Sequence, residues 1–256
     1  MLFRSAGLVA AAGAAGLGAR VALIERGLLG GDCLNYGCVP SKAILSAGRA
    51  VGRIRAARRL GVEAGEPAVD FPTVMQRMRR LRSELSRHDS AERFRSLGVD
   101  VYLGEAAFVR PGQVQVAEQT LHYVRAVVAA GARPRILEAP GLSECGFRTN
   151  ETIFSLTALP PRLAVVGAGP VGCELAQCFA LLGSRVHLFT DGERILPRDD
   201  PQAAAVVQAA MTQDGVAMEP SSRLLRVERD GSHRTLVYER AGETRRLDVE
   251  IGRAHV

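Results

Sequence analysis

The stretch from Arg162 to Phe189, RLAVVGAGPVGCELAQCFALLGSRVHLF, limits the possible folds more than any other part of the chain. Apolar Leu163 to Val166 read as a buried strand running straight into Gly167-Ala168-Gly169-Pro170-Val171-Gly172. A helix then extends to about Leu182, Gly183 stops it, and a second strand covers Arg185 to Phe189. A GxGxxG string by itself is weak evidence. Strand, glycine turn, helix and strand in one unit form the context that a dinucleotide-binding Rossmann unit requires. Gly167 allows the tight turn, Gly169 lets the backbone approach a pyrophosphate, and Gly172 lets the helix pack closely on the strand. Pro170 and Val171 complete the turn, and the free N–H groups of the helix start favour phosphates. Thr190, just past the second strand, stands where an adenosine ribose is usually read.

The chain start repeats the end of such a unit. AGLVAAAGAAGLGARVALIE offers Gly7, a small-residue helix, a stop at Gly16 and Gly18, and a strand ending in Glu25. The step from Gly7 to Glu25 equals that from Gly172 to Thr190. Aligned this way, Gly7 is the third glycine of the motif and Glu25 the acid expected on a ribose. The first two glycines fall at Leu2 and Arg4, and the strand before them is missing. Leu2-Phe3-Arg4-Ser5 can be encoded by CTC TTC CGA TCT, whose reverse complement, one base out of frame, encodes the core of the closing EIGRAHV. Complementary ends of this kind are typical of sequencing-adapter read-through. The expectation is therefore a fragment of a longer chain, cut at both ends. Its fold class is α/β, with two Rossmann-like dinucleotide-binding domains built as three layers on parallel sheets, both incomplete.

Composition removes several other readings. With 47% apolar and 23% charged residues, the chain is neither disordered nor a membrane protein. Aromatics amount to 5% and tryptophan is absent, which argues against a stacking platform for sugars or single-stranded nucleic acid. The net charge of +6 is carried largely by arginine, most densely in QRMRRLRSELSRHDSAERFRSL. Met75, just before it, and Met78, Leu81 and Leu85 within it recur at helical spacing among the arginines, so the run reads as a solvated helix face and not as a nucleic-acid site. The apolar start is broken by glycines and by Arg20 and has no cleavage pattern, so neither a leader nor a membrane span is expected and the cytoplasm is the default location.

The sequence GGDCLNYGCVPSKAIL places Cys33 and Cys38 with four residues between them. Pro40 suits the first turn of a helix running on through SKAILSAGRAVGRI, which sets Cys38 just outside a helix N-terminus, where the dipole lowers a thiol's pKa. Zinc wants four ligands, and no second CxxC or histidine cluster completes such a site, so no metal is assigned. An inert structural pair and a redox pair remain, and the redox pair is preferred. Cys173 and Cys178 repeat the spacing inside the nucleotide helix, where five positions turn their faces roughly 140° apart. They read as two buried small residues, and Cys145, in GLSECGF, as an incidental loop thiol.

GGDCLNYGCVPSK resembles the active-site signature of the class I pyridine nucleotide–disulfide oxidoreductases, which include dihydrolipoamide dehydrogenase, glutathione reductase and mercuric reductase. GPVGCELAQCFALLGS, with TNETIF before it, resembles the mercuric-reductase-like branch most. VVAAGARP (Val127 to Pro134) is similar to a segment beside FAD, with Ala130 in place of threonine and Gly131 after it. GEAAF (Gly104 to Phe108), with Ala106 at its centre, is similar to a stretch whose backbone meets the adenine. The resemblance implies an FAD-binding domain over about 1–150 and an NAD(P)-binding domain over about 151–256, with a C-terminal dimerisation domain outside this chain. It implies that Cys38 faces the flavin, that Cys33 exchanges with substrate, and that Lys42 lies beside the flavin and pairs with Glu174. Arg26, Gly30, Gly31 and Asp32 join Gly7 and Glu25 as FAD-binding candidates.

The activity so implied carries electrons from NAD(P)H through FAD to the Cys33–Cys38 disulfide, then to a small disulfide or a metal-ion acceptor, in a homodimer. An FAD- or nucleotide-binding module without turnover is the alternative. Thr190 departs from the acid of an NAD-preferring unit, although Asp191 follows, and no arginine pair stands nearby for a 2′-phosphate. The choice between NAD and NADP stays open in the sequence.

Overall fold

The computed structural model describes residues 6–231 and 233–253. Leu2 and Arg4, the proposed places of the leading glycines, lie outside them. The elements run in the order α1 (Ala6–Gly16), β1 (Val21–Glu25), α2 (Gly31–Tyr36), α3 (Cys38–Ala57), α4 (Phe71–Ser86), α5 (Ala91–Ser96) and β2 (Val99–Leu103). Strands β3 (Ala106–Arg110), β4 (Gln113–Val116) and β5 (Gln119–His122) follow, then α6 (Leu142–Cys145), β6 (Phe147–Arg148) and α7 (Asn150–Ile153). The remainder is β7 (Arg162–Val166), α8 (Pro170–Leu181), β8 (Arg185–Phe189), α9 (Pro201–Gln213), β9 (Val216–Glu219), β10 (Ser222–Asp230), β11 (His233–Arg240), β12 (Glu243–Val249) and β13 (Ile251–Arg253). The chain divides into two compact units: Met1–Pro40 with Arg79–Arg133, and Ser41–Met78 with Pro134–Val256.

The second unit contains a five-stranded parallel sheet in the order β6-β13-β7-β8-β9. Leu163 pairs with Val186 and Val165 with Leu188, and alternation sends these four to one face, where α8 lies with Gly172 beside Val165. Ala164 and Phe189 point the other way, into a core shared with Val227, Leu236, Tyr238 and Val249 of the antiparallel sheet β10-β11-β12. Phe189 and Tyr238 meet edge to face with ring centroids 4.9 Å apart. Helix, parallel sheet and antiparallel sheet thus form three layers, and the α/β class with a dinucleotide-binding arrangement holds. The third layer is antiparallel, and its middle strand β11 buries Leu236, Val237 and Tyr238 in succession.

In the first unit β1 pairs in parallel with β2, and α1 and α5 cover the pair through Leu8, Ala11, Leu23, Phe94 and Val99. A second sheet, β3-β4-β5, is an antiparallel meander. Of the apolar positions read from sequence, helix α4 buries Met75 and Met78, with Phe71 beside them, each worth about 1.5–3 kcal/mol of transfer free energy, while Leu81 is half-buried and Leu85 exposed. Its arginines also serve the fold: Arg77 donates to Ala43 O and Ser46 Oγ at 3.1 Å each, and Arg82 to Asn35 O at 3.3 Å. Among the described residues no helix is long and apolar enough to cross a membrane.

Candidate active site

The thiol pair is built around a break between two helices. Gly30, with φ of +95°, starts the short helix α2, which carries Cys33. A Cβ at Gly30 would lie 2.8 Å from Leu34 Cβ, so glycine is needed for space as well as for φ. Asn35 is buried and donates to Gly31 O at 2.9 Å and Leu29 O at 3.1 Å, which ties the preceding loop to the helix. At Gly37 the chain turns between helices; a Cβ there would stand 2.9 Å from Asp32 O. Helix α3 then begins at Cys38 itself, not one residue beyond it as expected. The break brings the two thiols into hydrogen-bond contact, both partly exposed.

Burial pushes the Cys33 thiol up to about 11, helped by its hydrogen bond to Cys38 and by repulsion from Cys38 and Asp89, while the Cys38 N–H pulls the other way. Burial also holds the Asp89 carboxyl above its ordinary range. Sequence reasoning missed Asp89, because nothing in HDS marks an acid that lies near a cysteine more than fifty positions earlier.

The glycine turn in the second unit takes the form its pattern requires. Gly167 has φ of +107°. A Cβ on Gly172 would sit 1.9 Å from Gly167 O, a clash with backbone that no side chain can relieve. Nothing lies within 4 Å of a Cβ at Gly169, so the open space falls where the backbone must be approached. Pro170 opens α8 in the first turn, followed by Val171. On the same helix Glu174 forms an ion pair with Lys42 of α3, although 132 residues separate them.

The sequence pattern of the pyridine nucleotide-disulphide oxidoreductases matches residues 5–253. The chain belongs to that family. Among curated members it is 31% identical over 233 residues to a mercuric reductase of Staphylococcus aureus, covering 91% of this chain and 43% of the relative. It is 32% identical over 229 residues to a dihydrolipoyl dehydrogenase of Bacillus subtilis, covering 87% of this chain and 50% of the relative. The fold is similar to that of RclA, a HOCl-induced flavoprotein disulfide reductase from Escherichia coli, with a TM-score of 0.78 and 24% identity over 98% of this chain and 53% of that one. The chain therefore spans about half the length of these three proteins.

The other family-matched candidates fall at defined places within each unit. Gly7 lies in α1, and a Cβ on it would come within 3.3 Å of Ala129 Cβ, so the stretch holding Ala130 and Gly131 passes close to that helix. Ala130 and Gly131 are exposed in an irregular segment. Glu25 ends β1 and accepts from the Gly27 N–H at 2.8 Å; Arg26 lies 3.8 Å from Glu105, and Ala106 opens β3. Gly31, Asp32 and Cys33 share the first turn of α2. Thr190 is buried, with Oγ1 accepting from the Gly192 N–H at 3.2 Å.

Cys173 and Cys178 are buried, as read from their spacing, and burial pushes each thiol up to about 12. Cys145 differs from its reading as a loop thiol: it ends α6, is 3% exposed and donates its S–H to Val227 O. No group of His, Cys, Asp and Glu among the described residues is arranged to hold a metal ion.

Proposed function

We propose that the chain is the FAD- and NAD(P)-binding part of an oxidoreductase in which electrons from NAD(P)H reach the Cys33–Cys38 pair by way of FAD. The contact between the two thiols across the helix break carries this reading. When bound, the flavin supplies two-electron exchange between a hydride donor and a dithiol. Residues of about 1–150 would hold it, with Gly7, Glu25, Arg26, Gly30, Gly31, Asp32, Ala106, Ala130 and Gly131 as its contacts. Residues of about 151–256 would hold the nicotinamide dinucleotide. The open space at Gly169 and the excluded Cβ at Gly172 fit a pyrophosphate laid on the start of α8. Lys42, held by Glu174, supplies a fixed positive charge for the flavin ring.

The thiol chemistry follows from the pair itself. Cys33 attacks one sulfur of an acceptor disulfide once a base has taken its proton, which burial makes necessary at neutral pH. The acceptor S–S bond breaks, one thiolate leaves, and a mixed disulfide forms on Cys33. Cys38 then attacks the Cys33 sulfur, releases the second acceptor thiol and closes the Cys33–Cys38 bond. A thiophilic metal ion is the other acceptor class that suits two adjacent thiols. A homodimer working in the reducing cytoplasm suits a dithiol that has to cycle. The test is thiol counting on the whole protein under nitrogen: NAD(P)H should expose two further titratable thiols per chain, mapped to Cys33 and Cys38. No change on adding reductant would contradict the assignment.

A further inference from the structure

The loop after β8 decides what the adenosine end of a dinucleotide can carry. Thr190 is 7% exposed; its N–H donates to Glu219 O at 3.1 Å, and its carbonyl accepts from the Ser222 N–H at 2.9 Å. With Oγ1 also engaged by Gly192, the residue is folded into the protein and offers no charge. Asp191, the next residue, is exposed, and its carboxylate has no hydrogen bond or ion pair among the described residues.

Arg194 and Arg240, two arginines of this region, are engaged elsewhere. Arg194 donates to Leu196 O at 2.7 Å, Asp199 O at 3.0 Å, Pro197 O at 3.1 Å and Ile195 O at 3.4 Å, so its guanidinium clamps its own loop. Arg240 donates to Glu219 Oε2 at 2.5 Å, and Glu219 Oε1 meets His187 Nδ1 at 3.1 Å. Glu219 is thus satisfied on both oxygens, and the Arg240 charge is neutralised behind Thr190. A 2′-phosphate brings a charge of about −1.5 to −2 and calls for a guanidinium, whereas a 2′-hydroxyl calls for a carboxylate acceptor.

We infer that the strand end after β8 selects NADH over NADPH, with Asp191 accepting from the ribose 2′-hydroxyl and repelling a 2′-phosphate. This rests on the nucleotide-binding reading of the Gly167–Gly172 turn. Arg198, exposed on the loop that Arg194 clamps, is the cation that would reverse the preference if it reached the ribose.

Equilibrium titrations of the full chain with NADH and with NADPH, read by nicotinamide fluorescence at one ionic strength, test it. NADH should bind about tenfold or more tightly than NADPH. Asp191→Asn should narrow that ratio, and Arg198→Ala should leave it unchanged; both positions are exposed, so neither variant threatens the fold. Equal binding, or tighter NADPH binding that Arg198→Ala abolishes, would overturn the selection while leaving the nucleotide site standing. Binding of neither nucleotide would overturn the reading of the glycine turn, and the selection with it.

Discussion

Two cysteine pairs in this chain share one spacing and have opposite characters. Cys33 and Cys38 straddle the break between α2 and α3, partly exposed and in hydrogen-bond contact. Cys173 and Cys178 ride on the unbroken helix α8, 5% and 1% exposed. A continuous helix turns about 100° per residue, so five positions carry two side chains to different faces. A break at Gly37 removes that constraint and lets both sulfurs point to one place. The lesson is that four intervening residues do not make a redox pair. The glycine that interrupts the helix is what lets these two thiols meet.

The largest expected difference between the pairs is in reactivity. With the protein reduced, iodoacetamide at pH 8 should label Cys33 or Cys38 at least about a hundredfold faster than Cys178, which is reached only through opening of its helix. Mapping of labelled peptides over time measures the ratio. The Cys33 rate should climb about tenfold per pH unit above neutrality, because a thiol pushed up to about 11 carries little thiolate below that pH. In Cys38→Ser the plateau should arrive earlier, since repulsion from Cys38 is lost, yet still above the ordinary thiol range, since burial is the larger cause. Similar rates at all four cysteines would erase the contrast.

A smaller effect should appear in stability. Cys178→Ser puts a hydroxyl where 1% of the residue is exposed and should lower unfolding free energy by about 1–3 kcal/mol. Cys33→Ser, at a partly exposed site, should cost less than about 1 kcal/mol. Urea unfolding of both variants beside the parent would sharpen the comparison, and equal losses would count against it.

Much of this contrast was legible in the sequence. The unit from β7 to β8 was readable almost to the residue, because an apolar run, a glycine turn and a stop glycine each have a strong local cause. Burial of Cys173 and Cys178 followed from the helix period. Helix α2 was not readable, since GDCLNY is one short turn with no apolar period of its own and is held by Asn35 bonding back to Gly31 and Leu29. Cys145 was misplaced because its burial comes from Val227, 82 positions later, and from the antiparallel sheet that holds Val227. The Lys42–Glu174 ion pair could be expected only from resemblance, because no local rule joins residues on two helices so far apart.

The central claim is that Cys33 and Cys38 form one reversible dithiol–disulfide couple and that the other three cysteines stand apart from it. It is tested most directly by equilibrating the folded protein in thiol–disulfide buffers of stepped potential, trapping with acid and mapping every cysteine by mass spectrometry. The account predicts a single two-electron transition confined to a Cys33–Cys38 bond, with Cys145, Cys173 and Cys178 reduced throughout. A transition that spares Cys33 and Cys38, or a bond from either of them to Cys145, Cys173 or Cys178 in the folded protein, would contradict it.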